Sequence, residues 1–347
     1  MRYRLLGHSG LRVSELCLGT MTFGEDWGWG SSKDESRAIL DAFFEAGGNF
    51  IDTANFYTAG TSETLLGEFL QADRQRAVLA TKYTLAGPGG NDPNAGGNQR
   101  KNMMQSVEAS LKRLRTDYID LYWVHIWDQI TPIDEVMRGL DDLVRQGKIL
   151  YVGVSDMPAW MVARANTMAE LRGWTSFVGL QIEYSLIERT VEQEFLPMAK
   201  AMGLGVTAWS PLSGGALTGK YLEERARTGD AQGRYDTEMG KAFRPEEAKN
   251  LIVREVVKVA EEVGRSPAQV ALAWLNHRPI PIIPIVGARK LDQFRDNLAS
   301  LELKLDPAQV ERLDQVSHVP LAFPHSFYAR DMVKSVVSGG FGDRIDA

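Results

Sequence analysis

Short apolar runs alternate with longer amphipathic segments along most of the chain. The runs near 14–20, 49–53, 77–82, 118–125, 149–154, 178–182, 204–209 and 281–286 have the length and composition of buried strands. Segments of helical periodicity lie at 33–46, 62–71, 100–115, 132–147, 158–172, 190–202, 247–276 and 290–299. Because parallel strands need crossover connections, eight strands that alternate with helices predict a parallel α/β architecture.

Two parallel architectures compete for this pattern, and one motif separates them. No Gly-x-Gly-x-x-Gly follows the first strand, which disfavours a doubly wound, dinucleotide-binding sheet. The 347 residues fit a (β/α)8 TIM barrel with insertions. We therefore predict a single barrel domain over residues 1–347. A hairpin around His8-Ser9-Gly10 is expected to plug its amino end, with long loops at 84–99 and 212–246 on its C-terminal face.

Composition and charge restrict the function classes. The chain is 44% hydrophobic and 24% charged, as in soluble globular proteins. A net charge of −6 and the absence of a Lys/Arg stripe disfavour nucleic-acid binding, and no apolar run approaches the roughly 20 residues that cross a bilayer. The single cysteine, Cys17, can form no internal disulfide, and the scattered His residues have no metal-ligand spacing. We expect a cytoplasmic protein without a metal or membrane partner.

Four polar residues lie at or near the ends of predicted strands: Asp52, Tyr57, Lys82 and His125. In a parallel barrel the carboxyl ends of all strands open onto one face, so these side chains are expected to converge there. Each alone has an ordinary explanation, as a turn cap, a half-buried aromatic, a solvated lysine or a core histidine. Together, an acid, a phenol, an ammonium and an imidazole form a proton-transfer set suited to carbonyl reduction.

Each of the four residues has an expected role in that reaction. The charge of Lys82 is expected to lower the pKa of the Tyr57 phenol from its usual value of about 10. Tyr57 could then give a proton to a carbonyl oxygen near neutral pH. Asp52 would hold Lys82 in place, and His125 would hydrogen-bond the same oxygen and orient the carbonyl.

The segment Asp52-Thr53-Ala54-x-x-Tyr57, followed by Ser62-Glu63-x-x-Leu66-Gly67, resembles the signature of the aldo-keto reductase superfamily. Lys82 and His125 fall where that family has its other two catalytic residues, and the resemblance covers nearly the whole chain. The branch it resembles includes the potassium-channel β subunits and aryl-alcohol dehydrogenase-like members. The resemblance implies a (β/α)8 barrel that binds NADP(H) in an extended pose. It also implies reversible reduction of an aldehyde or ketone, with hydride from the nicotinamide and a proton from Tyr57.

Further segments are similar to the family's cofactor contacts. Asp156 stands where the family often has Asn, and a carboxylate can accept from the carboxamide NH2 but cannot donate to its oxygen. Arg289, beside a predicted helix N-terminus, is the candidate for the 2′-phosphate, which favours NADPH over NADH. The implied contacts are Thr20, Met21, Ser155, Asp156, Gln181 and the stacking Trp209 at the nicotinamide, Ser210, Leu212, Gly214 and Lys220 at the pyrophosphate, and Gly287, Arg289, Gln293, Asp296 and Asn297 at the adenosine, with Arg234 as a candidate cover for the adenine.

Aromatic residues near the predicted site are candidates for the wall of a site for a small carbonyl or alcohol substrate. They are Trp27, Trp29, Phe56 and Trp127, with the tail residues Phe323, His325 and Phe327 as candidates to lean over the mouth. Packing of loops against the barrel rim explains any one of them equally well. Two other functions stay open: an NADP(H)-binding interaction or redox-sensing module with little turnover, and an aldolase with a Schiff-base lysine. The four catalytic residue types disfavour the first, and the cofactor-like segments 209–220 and 287–297 disfavour the second.

Overall fold

The computed structural model describes residues 1–86, 92–222, 245 and 249–345, and its centre is a closed barrel of eight parallel strands. The strands β1 (Tyr3–Leu5) and β2 (Arg12–Ser14) form a separate antiparallel pair. The barrel strands are β3 (Cys17–Gly19), β4 (Phe50–Asp52), β5 (Val78–Tyr83), β6 (Ile119–Val124), β7 (Ile149–Ser155), β8 (Gly179–Glu183), β9 (Gly205–Trp209) and β10 (Ile282–Val286). They follow one another in chain order, and β10 pairs with β3 to close the ring. The predicted (β/α)8 barrel is confirmed.

Helices connect the strands and surround them. They are α1 (Lys33–Glu45), α2 (Thr61–Phe69), α3 (Arg100–Leu114), α4 (Ile133–Arg145), α5 (Ala159–Arg172), α6 (Phe195–Met202), α7 (Asn250–Val263), α8 (Pro267–Leu275), α9 (Leu291–Leu298), α10 (Pro307–Val316), α11 (His325–Tyr328) and α12 (Asp331–Val337). Within the described ranges, none of these helices has both the length and the apolar character needed to cross a bilayer.

Two predicted helices are divided differently in the structure. The prediction of one helix over 247–276 is wrong, because Gly264 ends α7 with a left-handed φ of 63°. Ser266 then caps α8, with Pro267 at its first position, where a missing N–H costs nothing. In the segment 190–202, a 3-10 turn over Thr190–Glu192 precedes α6, which begins only at Phe195.

Alternation along the strands decides which side chains enter the barrel. Successive residues of a strand point to opposite faces, so every second residue faces inward. Ala80 of β5 and Trp123 of β6 are fully buried in the interior cluster. Trp123 fits there because Gly153 has no side chain, since a Cβ on Gly153 would lie 2.3 Å from the indole. Lys82, two residues after Ala80, and His125, two after Trp123, are therefore inward residues at the carboxyl end.

The hairpin formed by β1 and β2 closes the opposite end of the barrel, as predicted. Leu6 and Val13 are fully buried with the residues that line the interior. The His8 N–H donates to the Gly203 carbonyl at 2.8 Å, just before the amino end of β9. Gly7 is needed there, because its φ is 59° and a Cβ would lie 2.4 Å from the Gly203 oxygen. The mouth at the carboxyl end is thus the open face of the barrel.

The start of α2 is fixed to the ends of β3 and β4 by buried hydroxyl groups. Ser62 Oγ donates to the Thr20 carbonyl at 2.8 Å and lies 2.9 Å from Thr53 Oγ1. Thr20 Oγ1 donates to the Asp52 carbonyl at 3.0 Å. These bonds hold the backbone on either side of Asp52, so part of the signature that includes Ser62 is structural.

Two further positions of that signature hold α2 against β5 and α3. They are Glu63 and Gly67. Glu63 is fully buried, and its two oxygens accept from Thr81 Oγ1 and from Arg113 Nε, both at 2.6 Å. Thr81 directly precedes Lys82, so the contact also fixes β5. Gly67 lies against the end of α3, where a Cβ would come within 2.2 Å of the Arg113 carbonyl oxygen.

We expect Gly67→Ala to lower the free energy of unfolding by about 1–3 kcal/mol, because the added methyl group meets backbone that cannot rotate away. Chemical denaturation measures the change. Gly10→Ala is the matched control, since no atom lies within 4 Å of its Cβ position, and we expect its effect to stay within about 1 kcal/mol. Equal effects of the two substitutions would refute the close α2–α3 contact.

Candidate active site

Lys82 and Asp52 form a buried ion pair directly beneath the mouth. Lys82 is fully buried and Asp52 is 2% exposed. Lys82 Nζ pairs with the Asp52 carboxylate, donates to the Thr53 carbonyl at 2.9 Å, and donates to the Tyr57 hydroxyl at 3.0 Å. An ammonium group has three donors, and here each has an acceptor. The Thr53 carbonyl was not among the predicted residues, because a backbone acceptor has no side-chain signature.

Asp52 has a second partner on the far side of the barrel. Its Oδ1 accepts a hydrogen bond of 3.0 Å from Gln181 Nε2 on β8. Gln181 is 2% exposed, and it was predicted as a contact of a nicotinamide carboxamide. The structure directs its amide nitrogen to Asp52, so Gln181 also supports the ion pair.

Charge interactions keep Lys82 protonated. Burial lowers the pKa of Lys82, but the attraction of Asp52 and Tyr57 and the hydrogen bonds to both more than offset it and raise the pKa to about 12. The ammonium is therefore charged at every physiological pH.

The net shift of the Tyr57 pKa is opposite to the one expected from the sequence. Burial raises the pKa of Tyr57, Lys82 lowers it, and the carboxylates of Asp52 and Asp156 raise it, with a net rise above the usual value. Lys82 acts in the expected direction, but desolvation of the phenolate outweighs it. The prediction of a lowered pKa is wrong for this structure. Tyr57 is a neutral phenol that carries a proton at neutral pH.

A strained turn positions Tyr57. It begins a 3-10 turn over Tyr57–Gly60, in which Thr58 and Ala59 have left-handed φ values of 47° and 55°. Thr58 Oγ1 donates to the Phe23 carbonyl at 2.7 Å and accepts from the Ser62 N–H at 3.0 Å. The backbone is thus held in a conformation that L-residues rarely adopt.

His125 packs against the Tyr57 ring. The two rings meet edge to face, with centroids 5.9 Å apart. Burial and the charge of Lys82 lower the pKa of His125 well below its usual value, so the imidazole is neutral. Its Nδ1 is buried and has no hydrogen-bond partner among the described residues. A neutral imidazole has one N–H group and can donate one hydrogen bond.

Asp156 connects the ends of three strands at the mouth. It follows β7 in a left-handed conformation with φ of 47°, and its Oδ1 accepts from Trp209 Nε1 at the end of β9 at 3.1 Å. Its carbonyl accepts from the Trp127 N–H at 3.3 Å, just after β6. Although the residue is exposed, partial burial of the carboxylate raises its pKa to about 6, against the lowering effects of Trp209, Ser155 and Lys82. Ser155 itself is buried at the end of β7.

The segment after β9 carries the predicted pyrophosphate contacts. Ser210, Leu212 and Gly214 are half-buried around the 3-10 turn over Ser213–Thr218. This turn contains left-handed residues, among them Gly214 with φ of 56°. Lys220 reaches back over the turn, because a Cβ on Gly215 would lie 3.0 Å from Lys220 Nζ. An ammonium group close to this turn could attract an anion.

The segment after β10 carries the predicted adenosine contacts and lies beside the first one, because β9, β10 and β3 are neighbours in the barrel. Thr22 Oγ1 donates to the Ala288 carbonyl at 2.8 Å, and Ser31 Oγ donates to the Arg289 carbonyl at 3.1 Å. Gln293 Oε1 accepts from the Arg289 N–H at 3.3 Å. Gly287 and Gln293 are exposed, and Arg289 and Met21 are half-buried.

Two features of α9 differ from a simple anion site. The Leu291 N–H at its N-terminus donates to the Glu35 carboxylate, so an anion is already present there. Asp296 accepts from Ser266 Oγ at 2.7 Å and from Gln269 Nε2 at 2.6 Å, which ties α9 to α8. Asn297 is 5% exposed. Because Glu35 already occupies the N-terminus of α9, Arg289 remains the candidate to bind a 2′-phosphate.

Aromatic side chains form two groups near the mouth. The Trp27 ring lies 6.0 Å from Trp29 and 5.7 Å from Phe56, which directly precedes Tyr57. The Trp127 ring meets Trp160 edge to face at 6.0 Å. Trp160 was not predicted, although its place in the first turn of α5, shortly after Asp156, could have indicated it.

The C-terminal tail contacts the connection between β8 and α6. His325 Nε2 lies 2.8 Å from Glu194 Oε1, and the Ala322 N–H donates to Gln193 Oε1 at 2.9 Å. Phe323 is 82% exposed and Phe327 is 41% exposed. The predicted adenine cover, Arg234, and most of the loop at 212–246 lie outside the described residues.

The two rim segments and the buried set together fit an extended nicotinamide dinucleotide. Trp209 presents a half-buried indole whose orientation is fixed by Asp156. The turn beneath Lys220 suits a pyrophosphate, and Arg289 stands on the adjoining loop. Trp209 ends β9, the turn follows β9, and Arg289 follows the neighbouring strand β10, so one elongated ligand could contact all three.

Comparison with known proteins places this architecture in a family. The model of the aldo/keto reductase family matches residues 15–318. The chain is 41% identical to norsolorinic acid reductase stcV of Emericella nidulans over 329 residues, which cover 92% of this chain and 82% of that protein.

Two further relatives come from a fungus and a bacterium. The aryl-alcohol dehydrogenase [NADP(+)] of Phanerodontia chrysosporium is 39% identical over 333 residues, covering 92% of this chain and 86% of that protein. The uncharacterized oxidoreductase YrpG of Bacillus subtilis is 40% identical over 331 residues, covering 91% of this chain and 96% of that protein. The family match spans most of the chain, and all three relatives align over nine-tenths of it. The chain therefore belongs to the aldo/keto reductase family and is an oxidoreductase.

Proposed function

We propose that this protein catalyses the NADPH-dependent, reversible reduction of an aldehyde or ketone to an alcohol. One observation carries the proposal: the Tyr57 hydroxyl is held 3.0 Å from a buried, fully paired ammonium at the mouth of the barrel. NADPH, when bound, would supply the hydride. A single barrel domain over residues 1–347 would provide the rest of the site.

The four central residues divide the proton chemistry among them. Tyr57 is protonated at neutral pH and would donate its proton to the carbonyl oxygen. The nearby charge of Lys82 would stabilise the phenolate left behind, which offsets the cost of forming it in a buried site. Asp52 holds Lys82 in place, and Gln181 in turn holds the Asp52 carboxylate. His125, as a neutral donor beside the Tyr57 ring, would orient the carbonyl.

The charge state of Lys82 argues against the aldolase alternative. A Schiff-base lysine must attack as a neutral amine and therefore needs a lowered pKa. The pKa of Lys82 is raised to about 12, and all its donors have acceptors. Lys82 is thus suited to an electrostatic role. The same preorganised contacts favour turnover over a binding module that merely retains the fold.

The cofactor contacts are those that the resemblance to the family implies. Trp209 would stack on the nicotinamide, with Thr20, Met21, Ser155, Asp156 and Gln181 around its reacting end. Ser210, Leu212, Gly214 and Lys220 would meet the pyrophosphate, and Gly287, Arg289, Gln293, Asp296 and Asn297 the adenosine. The printed name of the Phanerodontia relative includes NADP(+), which supports the phosphorylated cofactor.

An aromatic carbonyl compound is the substrate class that the mouth favours. Trp27, Trp29, Phe56 and Trp127 would form an apolar wall next to Tyr57. The Phanerodontia relative is named for aryl alcohols, which agrees with an aromatic substrate.

We expect Tyr57→Phe to reduce aldehyde turnover by roughly 10²–10⁴-fold, because general acid catalysis contributes about that much. NADPH affinity should remain, since the ring is kept. Turnover of an aromatic aldehyde and the Kd of NADPH are measured in parallel. Tyr3→Phe, which removes an exposed hydroxyl bonded to Gly47, is the control and should keep full activity. Near-normal turnover in Tyr57→Phe would exclude Tyr57 as the proton donor.

We expect Asp52→Asn to lower the free energy of unfolding by about 3–5 kcal/mol at neutral pH, because it leaves a buried ammonium without its counter-charge. Asp41→Asn, in an exposed pair with Arg37, should cost less than about 1 kcal/mol.

Asp52→Asn should also change how the free energy of unfolding depends on pH. In the unmodified protein the folded pKa of Lys82 lies above the unfolded value, so its contribution is lost only as pH rises through about 12. In Asp52→Asn, burial without the carboxylate should bring the folded pKa below the unfolded value. Stability of the variant should then rise between pH 7 and 10, where the unfolded chain binds more protons. Chemical denaturation between pH 7 and 10 measures the free energy of unfolding of the variant. A free energy that does not change with pH would contradict the pairing of Lys82 with Asp52.

We expect NADPH to bind more tightly than NADH, and Arg289→Ala to remove most of the difference with little effect on NADH. Charge-assisted hydrogen bonds to the 2′-phosphate correspond to a roughly ten- to hundredfold preference. Calorimetry with both cofactors measures it, with the exposed Arg295→Ala on α9 as the control. Equal affinities of the unmodified protein for NADPH and NADH would rule out the phosphate role.

A further inference from the structure

Asp156 places a carboxylate within electrostatic reach of the proposed reacting atoms. Its charge raises the pKa of Tyr57, and the charge of Lys82 lowers the pKa of Asp156. A carbonyl that takes a proton from Tyr57 must lie against the Tyr57 hydroxyl, and the hydride donor must lie against that carbonyl. The Asp156 carboxylate also accepts from the indole N–H of Trp209 at 3.1 Å, and Trp209 is the side chain assigned to stack on the nicotinamide. The nicotinamide ring of a bound cofactor would therefore lie next to this carboxylate.

Neighbouring residues hold this carboxylate in place without neutralising its charge. Trp209 Nε1 donates to Oδ1 across the end of β8, and the Asp156 carbonyl accepts from the Trp127 N–H. Its side-chain donors in the described part of the chain are the neutral groups of Trp209 and Ser155. The Lys82 charge, in contrast, is already balanced by Asp52. Asp156 thus contributes a net negative charge to the mouth.

We propose that Asp156 makes the site bind the oxidised, cationic nicotinamide more tightly than the reduced, neutral one. The inference rests on the proposed function, since it assumes that NADP(H) binds with its nicotinamide against Tyr57. The oxidised ring carries a positive charge that the reduced ring lacks, so a fixed carboxylate attracts only the oxidised form. An amide at this position would hydrogen-bond both forms without that difference.

The preference has a consequence for the direction of reduction. Favouring the oxidised ring lowers the free energy of the state in which hydride has moved to the carbonyl carbon, the Tyr57 proton has moved to the oxygen, and Tyr57 has taken a proton back from solvent, so that no phenolate remains to oppose Asp156. Asp156 would therefore shift the equilibrium between bound species toward the alcohol. It acts as a positioning and charge-setting residue rather than as a proton donor.

Asp156→Asn is the direct test, because Asn has nearly the same shape and tolerates the left-handed backbone. Its amide oxygen can still accept from Trp209. The Kd values of NADP+ and NADPH are measured by calorimetry at pH 8 in both proteins. We expect the ratio of the Kd of NADPH to that of NADP+ to fall about three- to tenfold in the variant, the equivalent of a half to one pKa unit. Glu25→Gln removes an exposed charge elsewhere and should leave the ratio unchanged.

The pH dependence of cofactor binding to the unmodified protein offers a second test. Protonation removes the Asp156 charge, so in the unmodified protein the preference for NADP+ should weaken as pH falls through about 6. In Asp156→Asn the preference should not change with pH in that range. The variant separates Asp156 from the other titratable groups at neighbouring strand ends. They include Lys82 and Tyr83 on β5, Asp52 and Tyr57 at and after β4, His125 after β6 and Glu183 on β8.

The outcomes separate the inference from the function on which it rests. A lower ratio in Asp156→Asn, together with the pH-dependent ratio in the parent, supports the inference. An unchanged ratio in a variant that binds both cofactors would overturn the inference and leave the reductase proposal standing. Failure of the unmodified protein to bind either cofactor would overturn both.

Discussion

The ion pair between Lys82 and Asp52 is the constraint on which the rest of the site depends. Two opposite charges lie almost fully buried inside the barrel, and such a pair is stable only when its remaining hydrogen-bonding groups are satisfied. The structure meets this condition with Thr53, Tyr57 and Gln181. Because Tyr57 is one of the three acceptors of the ammonium, the electrostatic requirement of Lys82 also fixes the position of the proposed proton donor.

Much of the architecture could be predicted from the sequence because it rests on local patterns. The apolar runs correspond to all eight barrel strands, and the convergence of Asp52, Tyr57, Lys82 and His125 follows from strand ends that share one face. The division of the segment 247–276 was also readable. Gly264, Ser266 and Pro267 carry the ordinary signals of a helix end and a helix start, which a search for apolar periodicity alone overlooks.

The features that could not be predicted depend on the balance of opposing terms or on contacts distant in sequence. The sign of the Tyr57 pKa shift is set by burial against the charge of Lys82, and composition gives no measure of either. The Asp156–Trp209 bond joins residues on strands that are not neighbours. Glu35, far away in the chain, occupies the N-terminus of α9. Each of these features depends on distances in the folded structure, which the positions of residues along the sequence do not give.

Transfer of hydride from NADPH to a carbonyl carbon is the central claim, and isotope labelling tests it most directly. The protein is incubated with NADPH that carries deuterium at the C4 position of the nicotinamide and with a simple aromatic aldehyde, and the alcohol is examined by mass spectrometry and NMR. Hydride transfer from one face of a fixed ring predicts one deuterium on the carbinol carbon from only one of the two C4-labelled stereoisomers. An alcohol without deuterium from both stereoisomers, or no alcohol at all across a range of aromatic aldehydes and ketones, would contradict the account.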